Sequence, residues 1–230
     1  MSVFVKLIAA TPEADRVVAA AAKICYSPSG AAEIFDGLDT AKTASFLKML
    51  REAGHLSPFE HASFTFAAEG LSRVATHQLV RHRMASYSQQ SQRYVGMTGN
   101  ECIVPPTVKS DPRALALFKE QTESAQRTYD ELVALGIPKE DARFILPHGA
   151  ETRIVLTMNA RELHHFFALR LCRRAQWEIR ELAREMLRAV RAAAPVLFAV
   201  AGPSCVTEGS CHEAHSCGQP YKDMEDMLSQ

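Results

Sequence analysis

Between residues 81 and 94 the chain reads Arg81-His82-Arg83-Met84-Ala85-Ser86-Tyr87-Ser88-Gln89-Gln90-Ser91-Gln92-Arg93-Tyr94, without a single Asp or Glu. Arg carries a permanently protonated planar fork that matches phosphate oxygens in pairs, while Ser and Gln add neutral hydrogen bonds that tell one polar ligand from another. Cations with no local carboxylate, followed by a run of neutral donors, describe a site for an anion. A basic helix end facing water is the plain alternative for the first three residues. The polar run after them favours a ligand. Tyr87 and Tyr94 leave a second class open, a nucleic-acid surface on which Arg81, Arg83 and Arg93 meet phosphates while the rings stack on bases.

Composition weighs against that second class. Lys plus Arg and Asp plus Glu number 26 each, so no global field draws a polyanion, and any anion site must be local. At 230 residues and 47% hydrophobic, the chain can bury the core of one compact domain. No apolar run reaches the length of a membrane span, and the opening Met-Ser-Val-Phe-Val-Lys lacks the marks of a secretory signal, so a cytoplasmic protein is expected. Of the six Cys, Cys25, Cys102 and Cys172 are scattered, whereas Cys205, Cys211 and Cys217 recur at six-residue intervals. A reducing compartment favours free thiols or metal ligands over disulfides. Those thiols with His212 and His215 could bind zinc, but the short Cys-x2-Cys knuckle is missing. A disordered tail with free thiols is as open a reading, and no metal is assigned.

The elements that must position residues 81–94 follow from periodicity. Val3 to Leu7 reads as a strand; Thr11-Pro12-Glu13 opens a helix to about Cys25, with Thr11 as cap. Residues 27–40 read as loop, and Thr43 to Ala53 as a helix stopped by Gly54. His55 to His61 is a turn whose two His and Glu60 have metal-ligand chemistry, though a loop with satisfied imidazoles is the better reading. Ala62 to Ala68 alternates as a strand, and Leu71 to Val80 is a helix delivering Gln78 and Arg81 into the polar run, which leaves as a loop. Asp111 to Gly136 is a long amphipathic helix, and Pro138 to Leu146 a shorter one carrying Arg143. Glu151 to Met158 reads as a strand, with helix an alternative. Asn159 can then cap a helix with Glu162 at the spacing of a capping box. On it Phe166, Phe167 and Leu169 bury one face while Arg161, His165 and Arg170 can look into a site. Trp177 to Ala194 makes the last long helix, with a solvated Arg/Glu face.

Arg81-His82-Arg83, then seven residues, then Ser91 resembles the signature of the flavin-dependent thymidylate synthases, and Gln92-Arg93-Tyr94 continues it. His55-Leu56-Ser57-Pro58-Phe59-Glu60-His61 upstream, and Asn159-Ala160-Arg161-Glu162-Leu163, Leu169-Arg170 and Ala175-Gln176-Trp177-Glu178 downstream, match in order and spacing from about residue 3 to 190. The resemblance implies an α+β fold, a single compact domain of long helices on a small mostly antiparallel sheet over residues 1–203, followed by a Cys-rich tail, 204–230. It also implies synthesis of thymidylate (dTMP) from deoxyuridylate (dUMP), with methylenetetrahydrofolate as one-carbon donor, FAD as cofactor and NADPH as reductant. A homotetramer with shared sites is implied too, acting on small molecules rather than on nucleic acid or membrane. Residue by residue, it makes Arg170 the catalytic group that stabilises the ionised uracil. Substrate contacts would come from Gln78, Arg81, Gln89, Gln90, Ser91, Gln92, Arg93 and Arg143. FAD contacts would come from Ser57, Arg81, His82, Arg83, Gln89, Asn159, Arg161 and His165. One departure stands out: Ser88-Gln89 occupies the place where many members have Asn-Glu, so a neutral amide replaces a charged acceptor.

Overall fold

Alternating residues on two neighbouring strands decide the layout. The computed structural model describes residues 3–99 and 101–229. Strands β1 (Phe4–Ala10), β2 (Ser63–Ser72), β3 (Ala85–Gln89) and β4 (Glu151–Asn159) form one antiparallel sheet in the order β1-β2-β4-β3. Phe64, Phe66 and Ala68 on β2, with Ile154, Leu156 and Met158 on β4, point to one buried face. The opposite face carries Thr65 and Thr157, whose hydroxyls meet at 2.9 Å. One-sided burial with a two-residue period is what an antiparallel sheet covered on a single face requires.

Helices supply the cover. In chain order they are α1 (Ala14–Lys23), α2 (Ala31–Asp36), α3 (Thr40–Glu52), α4 (Arg73–Leu79), α5 (Pro106–Lys109), α6 (Pro112–Ala134), α7 (Lys139–Ala142), α8 (Ala160–Arg170), α9 (Trp177–Ala193), α10 (Ser204–Thr207) and α11 (Met224–Ser229). On α9 the residues Ile179, Leu182, Ala183, Met186, Leu187 and Val190 make the apolar stripe that packs on β1 and β2. Phe64 meets Phe198 edge to face at 5.3 Å. The α+β expectation holds, and no described helix is long and apolar enough to cross a membrane.

Several local expectations are corrected. Thr11 does not cap α1; its hydroxyl instead accepts the Ser63 N–H at 2.9 Å, clasping β2, and Glu13 takes the cap position with φ 48°. Residues 27–40 contain α2, a single turn and a half between Gly30 and Gly37. The polar run does not leave α4 as a loop, because Ala85–Gln89 pairs with β4 as an edge strand. Leu169 is exposed. The charged face of α9 is partly interior: Glu178 is buried, accepting the Ser72 hydroxyl at 2.6 Å and the Ser72 N–H, while buried Arg184 donates to the Met227 carbonyl at 3.2 Å. Through Tyr221 and Met227 the C-terminal residues enter the same core as the sheet. By contrast α6 buries only Tyr129 of its 23 residues. Its neighbourhood leaves Phe144 84%, Leu135 79% and Leu117 68% exposed.

Candidate active site

Helix α8 starts because the Asn159 side chain accepts the Glu162 N–H at 2.9 Å. The reciprocal half of a capping box is not made. Glu162 turns inward and meets His82 Nδ1 at 3.0 Å. On the other side of the ring, His82 Nε2 accepts the Arg170 Nε–H at 3.0 Å. An imidazole that accepts at Nε2 must hold its proton at Nδ1, so His82 is neutral and donates to Glu162. Its environment agrees: burial lowers its pKa, and the Arg170 charge lowers it further against the opposing pull of Glu162. Glu162, Phe166 and Arg170 are four residues apart and share one stripe of α8, which is how both ends of the chain reach one ring. His82 stands edge-on to Phe166 at 4.9 Å. Tyr87 OH fixes the turn below by donating to the carbonyls of His82 (2.8 Å) and Leu79 (2.9 Å). Arg170 is therefore held by its Nε, with Nη2 3.5 Å from the Gln78 carbonyl.

Beside this chain lies a cavity of about 540 Å³ lined by Leu56, Glu60, Met84, Asn159, Arg161, Glu162, His164 and His165. Arg161 pairs with Glu60 at 2.5 Å across it. Ser57 opens the 3-10 turn Ser57–His61, between the lining residues Leu56 and Glu60. Arg81 and Arg83 flank His82 on exposed backbone and make no ion pair among the described residues. His82, Glu162 and His165 place ligand atoms within 4.8 Å of one another. Since both His82 nitrogens are engaged and Arg170 adjoins them, that cluster is a hydrogen-bonded support and not a cation site.

A second group forms around α7 and the turn after β3. Arg93 Nε donates to Glu140 at 2.7 Å and Arg143 Nε to the Glu140 carbonyl at 3.1 Å. Arg73, the first residue of α4, donates to the Gln90 carbonyl at 2.8 Å, and its buried Nε has no partner. Burial, and then the Arg143 charge, depress the Arg73 pKa. Gathered guanidinium groups with an orphaned buried N–H are costly unless an anion joins them. Gln89 is anchored nearby, its amide donating to the hydroxyls of Thr76 (3.0 Å) and Thr152 (3.2 Å). Hydroxyls can either donate or accept, so this pocket takes an amide where a carboxylate would serve. Ser91 Oγ accepts the Arg93 N–H at 3.2 Å, and Gln90 lines a polar cavity of about 360 Å³ with Glu151 and Arg153.

Residues 6–196 match the family model of the thymidylate synthase complementing protein. The chain is 50% identical to a flavin-dependent thymidylate synthase of Clostridium tetani, over 95% of this chain and 94% of the relative. It is 50% identical to one of Geobacter sulfurreducens, over 94% of each, and 45% identical to one of Pyrococcus horikoshii, over 91% and 89%. The chain belongs to the flavin-dependent thymidylate synthases. Of the residues expected to serve such a synthase, the fold brings Asn159, Arg161 and His165 to one cavity, and joins His82 to Arg170 and Gln78. It gathers Gln89, Gln90, Ser91, Arg93 and Arg143 at the other group, with Gln92 in the turn between Ser91 and Arg93. The two cavities share no lining residue. Sequence reasoning missed the inward role of Glu162 and missed Arg73 entirely. For Arg73 a signal existed: a cation in the first turn of a helix opposes the helix dipole, and the position has no acidic neighbour in that turn.

Proposed function

We propose that the chain converts dUMP to dTMP, with methylenetetrahydrofolate as the one-carbon donor and NADPH as reductant through FAD, and that Arg170 is its catalytic residue. The observation that carries this is the run of hydrogen bonds from Glu162 through His82 to Arg170 beside a cavity of about 540 Å³. That volume lies within the range of roughly 300–1,000 Å³ typical of ligand pockets. Its lining suits a flavin, with Leu56 and Met84 for a flat apolar ring and Asn159, Arg161 and His165 for its polar edge. Arg81 and Arg83, free of carboxylates, suit the pyrophosphate, and Ser57 sits at the rim. When bound, FAD supplies the hydride transfers that link the nicotinamide to the one-carbon unit.

The chain's own groups do the rest. As C5 of uracil becomes nucleophilic, negative charge grows on the ring, and a guanidinium fixed in advance stabilises it without reorganising. Arg170 is fixed by His82, and His82 by Glu162. Arg73, Arg93 and Arg143 receive the phosphate, with Gln78, Gln89, Gln90 and Gln92 reading sugar and base. Ser91 is a hydrogen-bonding residue, its Oγ engaged by the Arg93 N–H. A cytoplasmic homotetramer with shared sites completes the reading, and the exposed Phe144, Leu135 and Leu117 around α6 support burial by another copy. The synthase domain is assigned to 1–203, with 204–230 as a tail. The test is FAD retention after gel filtration, read by visible absorbance: wild type should hold flavin and Arg83→Ala should lose most of it, while a wild type that retains none under any condition would overturn the reading.

A further inference from the structure

Four of the six Cys meet at one place far apart in sequence. Cys172 lies just past the end of α8, Cys205 is in α10, and Cys211 and Cys217 come from the irregular stretch that follows. All four line one enclosed cavity of about 20 Å³. A space of that size holds one water or one ion, not an organic ligand. All are free thiols. Tail imidazoles are not part of the group: His212 turns outward to Ser210 at 2.9 Å and Glu208 at 3.4 Å.

We propose that Cys172, Cys205, Cys211 and Cys217 bind one zinc ion as a tetrahedral four-thiolate structural site that fastens the C-terminal tail to the end of α8. Four soft thiolates in tetrahedral array suit zinc, and each ligand thiol gives its proton to solvent on binding. Such a centre carries a net charge of about −2, and Arg173, 3.9 Å from Asp226, stands beside it. Arg173 lines the same cavity with its Nε buried and unpartnered, its guanidinium lying over Tyr221 at 4.2 Å. Arg174 reaches Glu213, also on the cavity, at 3.2 Å. The segment needs a fastening. Residues 207–216 are exposed and form neither helix beyond Thr207 nor strand, so no regular structure of their own holds them. Among the described residues the only group of three or more possible ligand atoms mutually within 4.8 Å is His82, Glu162 and His165, so no three of the four sulfurs stand that close and binding an ion requires them to move together.

Elemental analysis of the full chain, purified without chelator, tests this. About one zinc per chain is expected, and replacement by Co²⁺ should give the intense visible bands of tetrahedral thiolate coordination. Cys211→Ser, at an exposed position, and Cys217→Ser should each lose most of the zinc, whereas Cys25→Ser should keep it. Zinc content is read independently of turnover, so failure here leaves the synthase reading intact. Substoichiometric zinc with all thiols reactive in the native chain, a disulfide among these cysteines, or octahedral cobalt would overturn the proposal.

Discussion

The two halves of the candidate site are built differently. At the Arg170 end the supports are interior: Glu162 and His82 are buried, and the helix that carries Arg170 rests on Phe166 and Phe167. At the Arg73–Arg93–Arg143 end the supports are one exposed carboxylate and two carbonyls, on a turn and on α7, whose surroundings stay exposed. Charge that must act on a reacting ring needs a fixed position, whereas charge that captures a phosphate can be assembled by the ligand itself. The first end should therefore govern kcat, and the second KM.

Arg170→Ala is the strongest way to break that contrast. Loss of a preorganised charge at the reacting centre should lower kcat by roughly 10²–10³-fold, with flavin retained; an active variant would remove Arg170 from the chemistry. At the other end, Arg143→Ala and Arg73→Ala should each raise the KM for dUMP by roughly 10–100-fold, the worth of a charge-assisted hydrogen bond, with kcat little changed. A kcat effect without a KM effect there would reverse the assignment. Glu162→Gln keeps the shape but weakens the hold on His82, and should lower kcat about tenfold with an unchanged KM. Steady-state kinetics distinguishes all three.

The pH dependence of stability sharpens the same contrast, since the depressed imidazoles lie at the Arg170 end. His82 is lowered by burial, and His164, stacked on Phe198 at 5.2 Å, is lowered to about 4, also mainly by burial. A His whose folded pKa lies below its unfolded value is fully compatible with the fold above about 6.5, and stability is lost as pH falls from there towards the folded value, because the unfolded chain takes up the protons first. Urea midpoints should fall between about pH 7.5 and 5.5, and His164→Gln should flatten the slope. Asp15, raised by burial, works in the opposite direction. A midpoint constant over the window would show that neither ring is buried neutral.

Legibility in the sequence tracked how local the cause was. β2, β4, α8 and α9 could be read because their burial repeats every two or every three to four residues. β3 could not: Ala-Ser-Tyr-Ser-Gln alternates, but with only Ala85 and Tyr87 apolar the signal is too short to read, and the strand is fixed by pairing with β4. Glu178 and Arg184 look like solvent-facing charges on a helix, and the partners that meet them inside, the Ser72 hydroxyl and amide and the Met227 carbonyl, are distant in sequence. The same holds at the site. Arg170, Asn159 and Arg161 came from their motifs, while Glu162 was read as a cap partner because His82, its partner in space, is 80 residues away. The three tail cysteines showed their period, yet the fourth wall of their cavity, Cys172, lies outside it.

The central claim is that this chain makes thymidylate through a bound flavin with Arg170 acting on the uracil. Flavin-loaded protein is reduced anaerobically with NADPH, then mixed with dUMP and methylenetetrahydrofolate while flavin absorbance and dTMP are followed together. Reoxidation with dTMP formed in wild type, and reduced flavin without dTMP in Arg170→Ala, is the expected result. Reoxidation with no dTMP in wild type, or equal dTMP from both proteins, would contradict it.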